Sequence, residues 1–133
     1  ISGRSSAAAA RRAAELGMEE IHLKTRDKLA TYVRILRRSD LADSQVCYIG
    51  DNLVDLPVLL RAGMPVAPSD AHPEVLSRVP FITRAAGGHG AIREVIDAIL
   101  KAQGRWREVV GWFDPGPAAR GRPARPDGGR ART

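Results

Sequence analysis

Short apolar runs alternate along this chain with longer stretches in which apolar residues recur at helical spacing. Residues 46–49, for example, form a brief β-rich run that is typical of a buried strand. The pattern predicts strands at residues 21–23, 46–49, 65–67 and 81–83, helices at 5–16, 26–39, 53–61, 72–79, 91–103 and 105–113, and a glycine-rich loop at 85–90. Strands that alternate with helices through short loops predict an α/β fold with a parallel sheet and right-handed crossovers.

The predicted helices carry start signals, stop signals and apolar faces. Ser5 or Ser6 can cap the alanine-rich first helix, and Gly17 is a good stop for it. The helices at 26–39 and 91–103 are amphipathic, so each is predicted to turn one face toward the core. The predicted inward positions are Leu29, Tyr32, Val33 and Leu36 in the former, and Ile92, Val95, Ile96, Ile99 and Leu100 in the latter.

Residues 45–55 hold two aspartates where a predicted buried strand passes into a helix. Asp51 follows Gly50 at the C-terminal tip of the strand, the edge at which open α/β sheets bind ligands. Asp55 comes four residues later, about one helical turn, so it can face the same crevice. Two carboxylates there suit a hard cation such as magnesium (Mg2+). The alternative is a helix N-cap and a first-turn acid, both of which are common.

Three further features could bind an anion. The Ser-Gly-Arg sequence at residues 2–4 precedes a helix, where a hydroxyl and free backbone N–H groups form an anion site. Lys28 lies early in its helix and could neutralise a phosphate as a point charge. The Gly-Gly-His-Gly sequence at residues 87–90 would let backbone approach a ligand closely. Their plainer alternatives are an ordinary turn, a solvated lysine and a solvated loop with His89 in it.

Composition bounds the class of protein. The 133 residues and the apolar share of 44% suit one globular domain, and no apolar run is long enough for a membrane span. Cys47 is a single cysteine inside a predicted strand, which gives no disulfide framework and fits a reducing cytoplasm. No secretory signal is visible, and the sequence starts at Ile1 rather than methionine, so we expect a piece of a longer protein.

The net charge of +6 is concentrated at one end of the sequence. Residues 114–133 hold five arginines and two aspartates, and therefore carry half of it. This Pro/Gly/Arg-rich tail has no apolar periodicity, and we expect it to be a disordered, solvated extension. Nucleic acid binding by the tail is the alternative.

Taken together, these features resemble the 3-deoxy-D-manno-octulosonate 8-phosphate phosphatase family, a capless branch of the haloacid dehalogenase-type phosphatases. The resemblance rests on Ile-Ser-Gly-Arg at residues 1–4, Gly-Asp-Asn-Leu-Val-Asp-Leu-Pro-Val at 50–58, Asp-Ala-His-Pro at 70–73 and Ala-Gly-Gly-His-Gly-Ala-Ile-Arg-Glu-Val at 86–95. It implies that residues 1–113 are the C-terminal part of a haloacid dehalogenase-like domain, a Rossmann-like parallel sheet flanked by helices, without the first strand and most of the second.

The resemblance also implies roles for individual residues. Ser2 matches the hydroxyl that hydrogen-bonds the transferring phosphoryl group, and Lys28 matches the lysine that offsets its charge. Asp51 matches the magnesium ligand, and Asp55 the second acid, which supports Lys28 and the metal shell. Arg4 and Arg12 match contacts to the acidic sugar and, eight residues apart, are expected on one face of the first helix. The implied substrate-binding residues are Ser2, Gly3, Arg4, Arg12 and Lys28.

One departure from the family pattern bears on activity. The resemblance implies that an Asp-x-Asp motif on the first strand supplies the nucleophile and the general acid, and no Asp-x-Asp occurs in this chain. Covalent phosphoryl transfer needs both groups. We therefore interpret the chain as part of a longer, magnesium-dependent phosphatase and expect these residues alone not to turn over.

The resemblance implies a sugar acid phosphate of lipopolysaccharide biosynthesis as the substrate and a cytoplasmic homotetramer as the assembly, with no membrane partner. Two alternatives within the same fold stay open. One is the phosphatase-like C-terminal module of an acylneuraminate cytidylyltransferase, and the other is a phosphatase for a nine-carbon 2-keto-3-deoxy sugar acid phosphate. The intact lysine and metal positions favour an active phosphatase.

Overall fold

A three-stranded parallel sheet organises residues 1–114, the part of the chain that the computed structural model describes. The strands are β1 (Cys47–Ile49), β2 (Met64–Ala67) and β3 (Phe81–Ile82), in the order β1-β2-β3. Cys47 pairs with Met64 and Val66 with Phe81. The helices are α1 (Ala7–Glu15), α2 (Lys28–Ser39), α3 (Leu56–Leu59), α4 (Pro73–Leu76), α5 (Ala91–Ala102) and α6 (Trp106–Phe113). The predicted parallel α/β architecture is confirmed.

Polar caps fix where the first two helices begin. The N–H of Ala9 donates to Ser6 Oγ at 3.2 Å, so Ser6 rather than Ser5 caps α1, and Gly17 ends the segment in the left-handed region at a φ of 67°. The N–H of Ala30 donates to Asp27 Oδ1 at 2.9 Å and caps α2. This second cap places Lys28 at the first position of α2.

The core lies between one face of the sheet and the helices α2, α3 and α4. Tyr32 and Leu36 of α2 pack with Val58 of α3 and with Val46 and Tyr48. A second, adjoining cluster is formed by Leu59, Ala67, Ala71, Val75 and Val79. The predicted apolar face of α2 is therefore confirmed, and it holds the N-terminus of α2 close to the end of β1.

The strand predicted at residues 21–23 is not formed. This segment is held by separate backbone bonds: Ser2 N–H donates to His22 O at 2.8 Å, and Lys24 N–H donates to Arg4 O at 3.3 Å. These are separate bonds rather than the regular ladder that defines a strand.

Two other predictions need correction. The segment predicted as a helix from residue 53 to 61 opens with a 3-10 turn at Leu53–Asp55, and α3 proper begins only at Leu56. In α5 the buried side chains are Ala91 and Val95, whereas Ile92 and Ile96, which were predicted to face inward, are 62% and 50% exposed. The apolar stripe of α5 is broader than the part of the helix that is buried. Periodicity alone therefore overestimates the buried face.

The chain divides into two compact units, Ile1–Val95 and a second that begins at Ile96. In the second unit, Lys101 Nζ lies 4.7 Å from the centre of the Trp106 ring, and Arg105 Nε pairs with Glu108 at 3.4 Å. Within residues 1–114, no helix has the length and apolar content that crossing a membrane requires. The predicted tail lies outside the described residues, apart from Asp114.

Candidate active site

Asp51 stands at the C-terminal tip of β1, and its backbone is fixed on both sides. Gly50 N–H donates to Val66 O at 3.1 Å, and His72 N–H donates to Asp51 O at 2.9 Å. Asn52 Oδ1 accepts from Leu53 N–H at 2.8 Å and so caps the turn that follows. Among residues 1–114, no group forms a hydrogen bond or an ion pair with the exposed Asp51 carboxylate. This carboxylate is therefore available to a ligand.

Asp55 is buried directly behind Asp51, with only 3% of the residue exposed. Its Oδ1 accepts from Lys28 Nζ at 2.6 Å and from the Tyr48 hydroxyl at 3.1 Å. Its Oδ2 accepts from the backbone N–H groups of Asp51 and Asn52 at 3.3 Å and 3.2 Å. A buried carboxylate with four donors is well compensated for its lost hydration. Asp55 thus ties the lysine and the Asp51 turn together.

Lys28 reaches Asp55 from the first turn of α2, and its side chain is 12% exposed. The Asp27 cap and the packing of Tyr32 and Leu36 fix the helix that carries it. Removing one partner of such a buried pair typically costs about 3–5 kcal/mol, because the other charge is left uncompensated. The sequence placed Lys28 and Asp55 on separate helices, and the structure brings them into direct contact.

Tyr48 is a site residue that the sequence did not indicate. It lies in the middle of β1, and burial raises the pKa of its hydroxyl, with further increases from the negative charge of Asp55, the hydrogen bond to that carboxylate and the charge of Asp51. A tyrosine in an apolar run is read as a core residue, and this one is also packed against the core. Only its distance to Asp55 reveals the polar contact.

Gly50 allows the close approach of Asp55 to the strand tip. A Cβ at this position would lie 2.6 Å from Asp55 Cβ, far inside van der Waals contact, and 3.2 Å from Leu59 Cδ1, a tight contact. Gly50 therefore does more than end the strand, which is all that the sequence indicated.

The Gly50→Ala substitution is expected to lower the free energy of unfolding by about 1–3 kcal/mol, the usual cost of overpacking a well-packed region. Gly111→Ala controls for adding a Cβ without a clash, since a Cβ there meets nothing within 4 Å, and at this helical position it is expected to keep or raise the stability. Chemical denaturation of the two variants measures the difference. Equal stability of the Gly50 variant and the unsubstituted chain would show that the turn relaxes freely.

A cleft of about 160 Å³ opens beside Asp51 and is lined by Gly50, Pro68, Gly87, Gly88 and Ile92, among others. Its glycine-rich wall is held in place by two carboxylates. Gly87 N–H donates to Asp70 Oδ1 at 2.7 Å, and Ala85 N–H donates to Glu94 Oε2 at 3.0 Å. The backbone bonds from Arg84 and Ala85 lower the pKa of the Glu94 carboxyl. His89 bonds the Gly87 carbonyl and is exposed, as its plainer interpretation predicted.

The Ser-Gly-Arg segment lies beside the Lys28–Asp55 pair. It is tied to the segment that precedes α2, since Ser2 N–H donates to His22 O at 2.8 Å and Thr25 N–H donates to Ser2 O at 3.0 Å. Ser2 Oγ accepts from Arg4 N–H at 3.2 Å, which leaves the hydroxyl proton free to donate elsewhere.

Arg4 and Arg12 do not share a helix face, because α1 begins at Ala7 and Arg4 precedes its cap. Arg12 lies on α1 with a side chain 68% exposed, and its guanidinium pairs with Glu15 at 3.2 Å. Within residues 1–114, Arg12 forms no hydrogen bond or ion pair with Lys28, Asp51 or Asp55. Its role in substrate binding stays a prediction.

The site presents the free carboxylate oxygens of Asp51 next to the Lys28 ammonium, which Asp55 holds in place. No three His, Cys, Asp or Glu side chains within the described range converge as a closed metal site. Magnesium binds through one or two carboxylates and fills its other positions with water and phosphate oxygens, so the free Asp51 carboxylate suits it. The arrangement can therefore hold a cation and an anionic phosphoryl group side by side.

Comparison with known proteins gives a consistent result. The family profile of haloacid dehalogenase-like hydrolases matches residues 10–96. The 3-deoxy-D-manno-octulosonate 8-phosphate phosphatase of Escherichia coli K12 is 40% identical over 111 residues, which cover 84% of this chain and 59% of that protein. The chain therefore spans about three fifths of the length of the curated relatives that it matches.

Solved structures agree with the sequence comparison. The phosphatase of the same name from Yersinia pestis superposes with a TM-score of 0.79 at 41% identity, over 80% of this chain and 58% of that one. The Moraxella catarrhalis enzyme, solved in complex with magnesium ion, phosphate ion and a KDO molecule, gives a TM-score of 0.83 at 37% identity, over 86% of this chain and 66% of that one.

Proposed function

Because the chain belongs to the haloacid dehalogenase-like hydrolases, and among them to the 3-deoxy-D-manno-octulosonate 8-phosphate phosphatase family, we propose that it forms the lysine- and metal-binding part of a magnesium-dependent phosphatase. Its proposed substrate is 3-deoxy-D-manno-octulosonate 8-phosphate, which is hydrolysed to the free sugar acid and phosphate. One observation carries the proposal: the buried Lys28–Asp55 pair at 2.6 Å directly behind the free Asp51 carboxylate.

The residues of this chain have complementary parts in the proposed reaction. Asp55 holds the Lys28 ammonium in place, so that a fixed positive charge faces the phosphoryl oxygens without reorganisation. Ser2 donates its free hydroxyl proton to another of those oxygens. Asp51 would hold magnesium, which supplies Lewis-acid stabilisation of the phosphoryl charge when bound. Gly3, Arg4 and Arg12 are proposed to contact the acidic sugar.

The nucleophile and the general acid must come from outside these 133 residues. Lys28 and Asp51 are assigned to charge stabilisation and metal binding, and the chain contains no Asp-x-Asp motif to supply the nucleophile and the general acid. The proposed phosphatase therefore includes an upstream segment with that motif.

A joined enzyme tests the proposal. It consists of the N-terminal segment of the Escherichia coli relative, which by family resemblance carries Asp-x-Asp, followed by this chain from Ile1 to Thr133. We expect magnesium-dependent phosphate release from 3-deoxy-D-manno-octulosonate 8-phosphate at a higher kcat/KM than from a nine-carbon 2-keto-3-deoxy sugar acid phosphate or an aryl phosphate. A preference for the nine-carbon substrate would change the assigned substrate. No hydrolysis of any of them would overturn the function and favour a non-catalytic module.

We also propose a cytoplasmic homotetramer, as the family resemblance implies. In support, Phe81 and Ile82 of β3 are about half exposed in the single chain and would be covered by a subunit contact. Light scattering on the joined enzyme measures the mass directly. A monomer at micromolar concentration would contradict this assembly.

A further inference from the structure

The Tyr48 hydroxyl and the Lys28 ammonium share one carboxylate oxygen. Tyr48 donates to Asp55 Oδ1 at 3.1 Å, and Lys28 Nζ lies 2.6 Å from the same atom. The other oxygen, Oδ2, is occupied by two backbone N–H groups. Tyr48 is therefore the one neutral side chain that competes with Lys28 for the charge of Asp55 among residues 1–114.

The position of the Tyr48 ring is fixed independently of this hydrogen bond. The ring meets Tyr32 edge to face, with centroids 6.3 Å apart and an interplanar angle of 83°. It also packs against both core clusters. Because burial and the nearby carboxylates raise its pKa, the hydroxyl keeps its proton and acts as a donor at neutral pH. A rigid, permanent donor thus faces the carboxylate that holds Lys28.

This donor has a consequence for the lysine. A carboxylate that spreads its charge over more donors neutralises each of them less, and it holds its own position more firmly. Without the hydroxyl, Oδ1 would accept from the ammonium alone, so more of its negative charge would fall on Lys28, and Asp55 would lose one of the two side-chain donors that hold it. The hydroxyl therefore affects both the effective charge and the placement of the ammonium.

We propose that Tyr48 is a positioning residue for phosphoryl transfer, which keeps the Lys28 charge available to the substrate by sharing Asp55 Oδ1. The inference rests on the proposed function of the site. It assigns to the middle of β1 a role beyond packing, and it predicts that Tyr48 acts on turnover only through Asp55 and Lys28.

The test is Tyr48→Phe in the joined enzyme, which removes one oxygen and keeps the ring. We expect kcat to fall about tenfold, the loss that corresponds to one hydrogen bond to a charged group, while KM changes less than about twofold. Tyr32→Phe is the matched control. It removes the other hydroxyl of the ring pair, which donates to Asp43 Oδ1 at 2.9 Å, and it should leave kcat unchanged.

A double-mutant cycle separates positioning from a structural role. In a Lys28→Met background, Tyr48→Phe should cause no further loss of kcat, because its effect passes through the lysine. Placing 4-aminophenylalanine at position 48 keeps a donor in the same place, so it should restore most of the activity that Tyr48→Phe loses. This second variant also serves if Tyr48→Phe does not fold.

The outcomes are distinct. If the unsubstituted joined enzyme releases no phosphate, the proposed function fails and the inference falls with it. If that enzyme is active and Tyr48→Phe keeps its kcat, the inference alone is overturned. A full additional loss in the Lys28→Met background, or no rescue by the amino analogue, would also refute it.

Discussion

Asp51→Ala in the joined enzyme is expected to lower magnesium-dependent phosphate release by about a thousandfold or more. The carboxylate stands at the tip of β1 without a hydrogen bond or an ion pair to any group of residues 1–114, so its proposed task is to bind the cation. Loss of a metal that stabilises several kcal/mol of transition-state charge corresponds to a rate loss of about this size. Because Asp51 is exposed, the fold should be preserved.

Asp51→Asn and Asp40→Asn make a matched pair for this prediction. Asp40 ends α2 in the left-handed region with a φ of 52°, a conformation that asparagine tolerates, and it lies at the opposite end of the helix from Lys28. Only the Asp51 variant should lose activity. Phosphate release measured over a magnesium titration decides the case, and full activity at an unchanged magnesium requirement would remove Asp51 from the metal site.

Lys28→Met should reduce turnover by about two to three orders of magnitude, since a fixed charge aimed at a developing oxyanion commonly supplies several kcal/mol. The substitution keeps an unbranched side chain out to Cε and removes the ammonium. Asp55 retains the Tyr48 hydroxyl and two backbone donors, but it loses its charge partner, so the variant is also expected to be less stable and is assayed well below its unfolding midpoint.

Lys101→Met controls for the loss of a positive charge elsewhere. Lys101 lies on α5, a different helix from that of Lys28, and its ammonium sits over the Trp106 ring. Single-turnover and steady-state assays should show the loss in kcat for Lys28→Met alone. A change smaller than about tenfold would reduce Lys28 to a structural partner of Asp55.

Local patterns in the sequence were sufficient to predict the strands β1, β2 and β3, and the spacing of Gly50, Asp51 and Asp55 indicated the strand tip at which ligands bind. These features depend on a few neighbouring residues. The Lys28–Asp55 contact spans 27 positions along the chain, and the sequence indicated it only through the family resemblance. That resemblance is confirmed by the relatives, whereas the roles of the individual residues stay predictions.

The features that sequence reasoning missed all depend on tertiary contacts. The Tyr48 hydroxyl meets Asp55 only because the chain after Gly50 folds back against β1. Residues 21–23 form separate backbone hydrogen bonds with the residues around Ser2 and Arg4 instead of the predicted strand, and α5 exposes Ile92 although its periodicity favours burial. A periodic pattern shows which side chains prefer the core, but the surfaces actually available decide which are covered.

Phosphate release by the 133-residue chain alone, measured beside the joined enzyme and its Asp51→Ala variant, tests the central claim most directly. Each protein is assayed with magnesium against 3-deoxy-D-manno-octulosonate 8-phosphate and an aryl phosphate. We predict that the chain alone is silent, that the joined enzyme turns over and that Asp51→Ala silences it. Turnover by the chain alone that disappears with Asp51→Ala would contradict the account, because it would reveal a nucleophile within these residues.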